Sequence, residues 1–152
     1  MTNPTNIITI NKKASFSYNL TDFFICGIQL KGSEIKSIRL KKVNISESYC
    51  IVEKNEVWVR NMDINKYKFC QDEAYNPKKT RKLLLTKIEI KKIKKNLDEK
   101  GMSLIPIKLF INDKGLAKIK IGIGKGKKLY DKRESIKKRD AELEMGRKKR
   151  EK

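Results

Sequence analysis

Apolar side chains recur at every second position through most of the first 124 residues. Phe16, Tyr18 and Leu20 alternate with polar neighbours, and beyond Asp22 the same phase resumes at Phe24, Cys26, Ile28 and Leu30. A period of two marks a strand with one face toward a core, so a long strand is expected here, bent or bulged near Thr21-Asp22. Val43, Ile45, Tyr49 and Ile51 share a phase, and Val57 and Val59 follow Lys54-Asn55, which predicts a hairpin. Ile105, Ile107, Leu109 and Ile111 alternate; Asn112-Asp113-Lys114-Gly115 turns, and Ala117, Ile119, Ile121 and Ile123 return. With an opening strand over residues 7–13 the strands number about six. Short strands, tight turns and one apolar face each predict a mainly β chain: a small closed antiparallel barrel.

The period changes twice. A helix is expected from Gly32-Ser33-Glu34, with its acid at the start and Lys36, Arg39, Lys41 and Lys42 toward its end, as the helix dipole favours. Ile35 and Ile38 would dock it. A second is predicted over residues 80–95, after Asn76-Pro77, with Thr80 as N-cap and Leu83, Ile90, Ile93 and Leu97 on its inner stripe. Residues 66–79 read as a long exposed loop.

Charge divides the chain in two. Residues 125–152 hold 13 basic and 6 acidic side chains, residues 1–124 hold 25 and 12, and the whole is +20. The expected organisation is a barrel domain over 1–124 and a basic C-terminal tail over 125–152. That tail has too few apolar groups to offset the entropy of ordering, so alone it is expected to be disordered. A helix forming on contact with RNA is expected in it, since Glu134 precedes Lys138, and Glu144 precedes Lys148, by four residues. A mobile cationic arm on a basic body points to a polyanion, with RNA the best fit.

The chemistry narrows further by exclusion. The chain has no His, which removes Ser-His, Cys-His and His-metal arrangements. Cys26, Cys50 and Cys70 form no Cys-x-x-Cys pair, so no zinc site is expected and each thiol reads as a small buried hydrophobe. Gly122-Ile-Gly-Lys-Gly-Lys-Lys is no Walker loop, because Ile121 and Lys128 stand where Gly and Ser or Thr are required. Its glycines are expected to release the chain from the last strand and let the backbone approach phosphates. No enzymatic role, cofactor or metal is expected. Nothing resembles an export signal or a membrane span, and a cytoplasmic protein is predicted.

Three places carry the binding expectation. Lys118 and Lys120 point away from the inward Ile119, Ile121 and Ile123. Leu84, if helical, lies among Lys87, Lys91 and Lys95, either as partial core or against an unstacked base. Lys125, Lys127, Lys128, Lys132 and Arg133 flank Tyr130, a composition suited to base stacking and backbone attraction.

Asn11-Lys-Lys-Ala, Gly32-Ser-Glu-Ile-Lys-Ser-Ile-Arg, Arg81-Lys-Leu-Leu-Leu, Gly122-x-Gly-Lys-Gly-Lys-Lys and Tyr130-Asp-Lys-Arg-Glu stand in the order and spacing of one known family. From about Ile7 onward the chain resembles the SsrA-binding proteins (small protein B). The resemblance implies an OB-like barrel with two or three helices that binds the tRNA-like part of transfer-messenger RNA. It implies delivery, with elongation factor Tu and GTP, to stalled ribosomes for trans-translation, and action as a monomer. It places Asn11, Lys12, Leu84 and Lys118 on the RNA, joined by Lys36, Arg81, Lys82, Lys91 and Lys120. Tyr130, Asp131, Lys132 and Arg133, with Lys125, Lys127 and Lys128, would enter the decoding site and mRNA channel. Two positions depart from the family: Ile25 stands where an acid is frequent, and Tyr130 where many members have His. A structural ribosomal protein, which also pairs a small barrel with a basic extension, is the alternative reading.

Overall fold

The computed structural model describes residues 6–127; the expected ribosomal residues Lys128, Tyr130, Asp131, Lys132 and Arg133, and the tail's expected helix, lie outside that span. In chain order the elements are β1 (Asn6–Ile10), α1 (Lys12–Ser17), β2 (Tyr18–Ile28), α2 (Gly32–Arg39), β3 (Val43–Asn44) and β4 (Tyr49–Glu53). There follow β5 (Glu56–Arg60), β6 (Asp63–Ile64), β7 (Arg81–Leu84), α3 (Lys87–Leu97), β8 (Met102–Ile111) and β9 (Ala117–Gly126). Six strands close a ring in the order β8-β4-β5-β7-β2-β9, because β9 pairs back onto β8; β1 adds to the outside edge of β8, and β3 pairs with β6 separately.

The ring is uneven. β9 pairs along its length with β2 and with β8, whereas β4 meets β8 through a single residue pair, Cys50 with Leu104. Burial explains the long trio. Ile119, Ile121 and Ile123 on β9 are fully buried, with Leu109 from β8 and Leu83, Val57 and Val59 from the short strands. Alternation along β9 then turns Lys118 and Lys120 outward, as expected. Lys54 and Asn55 both take positive φ (52° and 60°), the turn geometry that matches strand twist and closes the β4–β5 hairpin.

Several sequence expectations are corrected. The opening strand ends at Ile10, and Lys12–Ser17 is helical, so Phe16 belongs to α1. The predicted bulge lies between Leu20 and Asp22, but it reverses the phase. Leu20 falls beside Phe23 over Gly122, on the outward side. In β4 the inward residue is Cys50, not Tyr49, which is exposed. Residues 81–84 form a strand rather than the start of a helix, filling the gap between β5 and β2. The helix begins later, with Thr86 as N-cap: its Oγ1 accepts from the Glu89 N–H at 3.2 Å while the Thr86 N–H donates to the Glu89 carboxylate at 3.1 Å. That Thr-x-x-Glu box is visible in the sequence and competes directly with Thr80.

The glycines near the C-terminal end of the ring are also reassigned. Gly122 and Gly124 sit inside β9, not at a release point. A Cβ at Gly124 would lie 2.2 Å from the Asn19 carbonyl oxygen, a backbone atom fixed by strand pairing. Gly124→Ala is therefore expected to lower unfolding free energy by about 2–3 kcal/mol, seen as a reduced urea midpoint with native far-UV circular dichroism before the transition.

Candidate nucleic-acid interface

Strand register builds one outward face from β7, β2, β9 and β8. Leu84, Gly27 and Lys118 stand opposite one another across β7, β2 and β9, and the β8 partner of Lys118, Phe110, is fully buried. One step along lie Ile25, Lys120 and Lys108, and one further Phe23 meets Gly122. Phe23, Ile25 and Leu84 are exposed. The Lys120 Nζ rests 4.7 Å from the centroid of the Phe23 ring.

Lys108 and Lys120 are direct cross-strand partners, and like charges so placed repel. Among the described residues no carboxylate lies within ion-pair distance of Lys108, Lys118 or Lys120. A phosphate would relieve that repulsion and release condensed cations from the nucleic acid. Apolar groups between the cations offer flat contacts to unstacked bases. At the β7 end a groove of about 360 Å³ opens between Leu30, Ile35, Leu84, Leu116 and Lys118. Gly27 keeps its floor open: a Cβ there would touch Leu84 at 3.4 Å and the Lys118 Nζ at 3.6 Å.

The sequence expectation sets Leu84 among Lys87, Lys91 and Lys95 on one helix. The strand at 81–84 breaks that arrangement. Leu84 is 52% exposed beside Lys118, while Lys91 joins Lys87 and Lys94 on α3 around a separate hollow next to Asn55. Lys12 is exposed at the start of α1. Asn11 is buried: its Nδ2 donates to the Pro106 carbonyl at 2.9 Å, and its Oδ1 has no partner among the described residues. Lys82 is paired with Glu56 at 2.9 Å. Lys125 is paired with Glu99 at 2.9 Å, and the Lys127 N–H donates to the Ser17 carbonyl at 2.8 Å, fixing the point where the chain leaves the ring. Lys36 is exposed on α2, 5.4 Å from the Tyr67 ring.

Arg81 does not belong to the RNA-facing set. It is 2% exposed, and its N–H groups are turned inward. Nε donates to Glu34 Oε2 at 2.5 Å, Nη1 to the carbonyls of Met62 and Lys79, and Nη2 to the Pro77 carbonyl and the Tyr75 hydroxyl. Its place is explained by β7: opposite the buried Val59, the side chain must point in. Glu34, from the first turn of α2, is equally buried. Burial by itself would raise its carboxyl, but the Lys31 N–H, the Arg81 and Lys79 hydrogen bonds and the Arg81 charge together hold it below the ordinary value. Burial, followed by the nearby Glu89, pushes the Cys26 thiol up to about 12, against the opposing charge of Lys118. Cys26 and Cys50 thus sit as the buried thiols anticipated, whereas Cys70 is only half-buried.

The residues missed are Phe23, Ile25 and Lys108. The signal for Phe23 and Ile25 is the unbroken run Phe23-Phe24-Ile25-Cys26, which serves two faces of one strand rather than one; that for Lys108 is a lone cation between Ile107 and Leu109.

The model of the SmpB protein family matches residues 8–151. The chain belongs to the SmpB family. The SsrA-binding protein of Cytophaga hutchinsonii is 49% identical over 142 residues, 93% of each chain. That of Parabacteroides distasonis is 50% identical over the same share of both. Among solved structures, the chain is similar to one described as "tmRNA-SmpB: a journey to the center of the bacterial ribosome", with TM-score 0.68 and 33% identity over 84% of this chain and 93% of that one. SmpB membership bears out the resemblance drawn from five separated motifs, and the ring of six strands bears out the barrel.

Proposed function

We propose that this chain is an RNA-binding adaptor that binds the tRNA-like domain of transfer-messenger RNA and delivers it to stalled ribosomes for trans-translation. The observation that carries it is the outward face, where lysines without a carboxylate partner among the described residues alternate with exposed apolar side chains on paired strands. The family relationship supports the identity of the RNA, since the relatives are SsrA-binding proteins and the similar structure is of tmRNA-SmpB.

In this reading Leu84 packs against an exposed base while Lys118, Lys120 and Lys108 neutralise the phosphates around it. Lys12, Lys36 and Lys91 lie on flanking surfaces and steer a larger RNA by charge. The protein positions and does not catalyse. Elongation factor Tu with GTP would be held through the RNA, the chain would act as a monomer, and the compartment would be the cytoplasm. Among the described residues no helix is long and apolar enough to cross a membrane.

The labour divides after Gly126, where β9 ends. Body residues hold the RNA; Lys128, Tyr130, Asp131, Lys132 and Arg133 serve the decoding site, Tyr130 by its stacking face. Truncation after Lys127 is expected to leave affinity for the tRNA-like RNA within a few-fold while abolishing peptide tagging in a reconstituted stalled-translation assay. A collapse of RNA affinity would refute the two-part arrangement.

A further inference from the structure

Between β6 and β7 the chain runs through residues 65–80 with no regular element, yet its root is tightly held. The Ser37 hydroxyl donates to the Asn65 carbonyl at 2.8 Å, the Asn65 N–H to the Lys42 carbonyl at 3.0 Å, and the Tyr75 hydroxyl to the Ile64 carbonyl at 2.7 Å. Arg81 pins both ends, taking the Met62 carbonyl on one side and those of Pro77 and Lys79 on the other. At the tip a turn closes through the Cys70 N–H and the Tyr67 carbonyl at 2.9 Å. That turn brings the Tyr67 and Phe69 rings edge-to-face, with centroids 5.6 Å apart and planes at 67°.

Phe69 is 70% exposed and forms no part of the core. The fold gains little from a phenylalanine left in water. Its neighbours are cations: Lys68 lies 5.3 Å from the Phe69 ring, and Lys36 from α2 lies 5.4 Å from the Tyr67 ring, with Lys66 exposed alongside. The loop's two acids, Asp72 and Glu73, are both exposed; Asp72 faces Lys31 at 3.8 Å and accepts from the Ala74 N–H. Two aromatic rings on a closed turn, with Lys36 and Lys68 against them, form a base-stacking platform with phosphate partners at its rim.

We propose that Tyr67 and Phe69 form a second RNA contact, separate from the Leu84–Lys118 face, that stacks one unpaired nucleobase. This rests on the reading that the chain binds RNA, and adds to it a specificity for an extruded base. A lysine lying on an exposed ring is weakly held; it swings to the phosphate when a base takes its place. Arg81 and Ser37 hold the two ends of the loop and the Cys70–Tyr67 backbone bond closes its tip, which lowers the ordering entropy lost on contact. An acidic protein partner would use the lysines but leave the flat rings unexplained.

The test uses the full chain and two RNA hairpins of equal length and charge, one fully paired and one with a single bulged 2-aminopurine. The wild type is expected to bind the bulged hairpin roughly tenfold more tightly, with quenched fluorescence from the stacked base. Phe69→Ala should remove most of that preference while affinity for the paired hairpin stays within twofold, and Phe69→Trp should retain it. If Phe69→Ala keeps the full preference while Leu84→Asp still fails on the tRNA-like RNA, the platform is dismissed and the adaptor reading stands. If the wild type shows no preference for a tRNA-shaped RNA over other RNA of similar size, the adaptor reading fails first and takes the platform with it. A benzophenone side chain at position 69 that crosslinks on ribosomes to protein and not to RNA also overturns the proposal.

Discussion

Arg81→Ala is expected to cost about 3–5 kcal/mol of folding free energy, because it strands the buried Glu34 carboxylate and orphans the carbonyls of Met62 and Pro77. That is a large part of the total stability of a domain this size, so the variant should unfold at much lower urea concentration or be isolated partly unfolded. Lys79, 3.0 Å from the other carboxylate oxygen, compensates only in part, since it is partly exposed and its single amine is already committed to that oxygen. The pH dependence carries the sign. Glu34 titrates below its ordinary value in the folded chain, so its contribution is fully present above the unfolded carboxyl's pKa of about 4.5 and is lost as pH falls through the lower folded value. Wild-type stability should therefore decline on acidification below that point. In Arg81→Ala this acid-labile component should shrink, because the Arg81 hydrogen bond and charge that help to lower the carboxyl are gone. An Arg81→Ala protein as stable as the wild type at pH 7 would contradict the assignment of Arg81 to the interior.

Leu84→Asp is the second large effect, and it falls on binding instead of folding. With half its surface in solvent and Gly27 opposite, position 84 accepts an aspartate without displacing core side chains. The carboxylate would then stand beside Lys118, cancelling one cation, removing the apolar contact and repelling phosphate. Losing a base contact of about 1–3 kcal/mol along with one favourable charge should weaken binding to the tRNA-like RNA by about 100-fold. The far-UV spectrum and thermal midpoint should stay near those of the wild type. Leu84→Met, which keeps the apolar contact, should bind almost normally. An unfolded Leu84→Asp would place Leu84 in the core and remove it from the interface.

Much of this architecture is legible in the residues themselves. β9 reads off directly, because Ile119, Ile121 and Ile123 alternate with Lys118 and Lys120, and a period-two run with charged alternates has one stable placement. The β4–β5 turn and the start of α2 are equally plain. The strand at 81–84 is not. Leu83, Ile90, Ile93 and Leu97 satisfy a helical stripe, and Leu83 is indeed buried, but through pairing with Val57 across the ring. Local periodicity carries no information about a vacancy between two distant strands. The same limit explains Arg81. An arginine in a basic motif looks like a phosphate ligand until the residue opposite it, Val59, shows which way it points. Residues 66–79 read as a loop and form one, but the meeting of Tyr67 with Phe69 depends on one backbone hydrogen bond that spacing alone does not reveal.

The lone Cys50–Leu104 pair that joins β4 to β8 is the narrowest join in the ring's ladder of strand pairs. β8, β9 and β2 are stitched along their whole lengths, so the spacing of their three lysines is set by strand geometry and survives any local loosening at that joint. A strain on the ladder meets its thinnest join there, while the buried Val57 and Val59 keep the hairpin seated on the core and the cationic slab keeps its shape, much as a bookbinding is thinnest at the cover and holds at the spine.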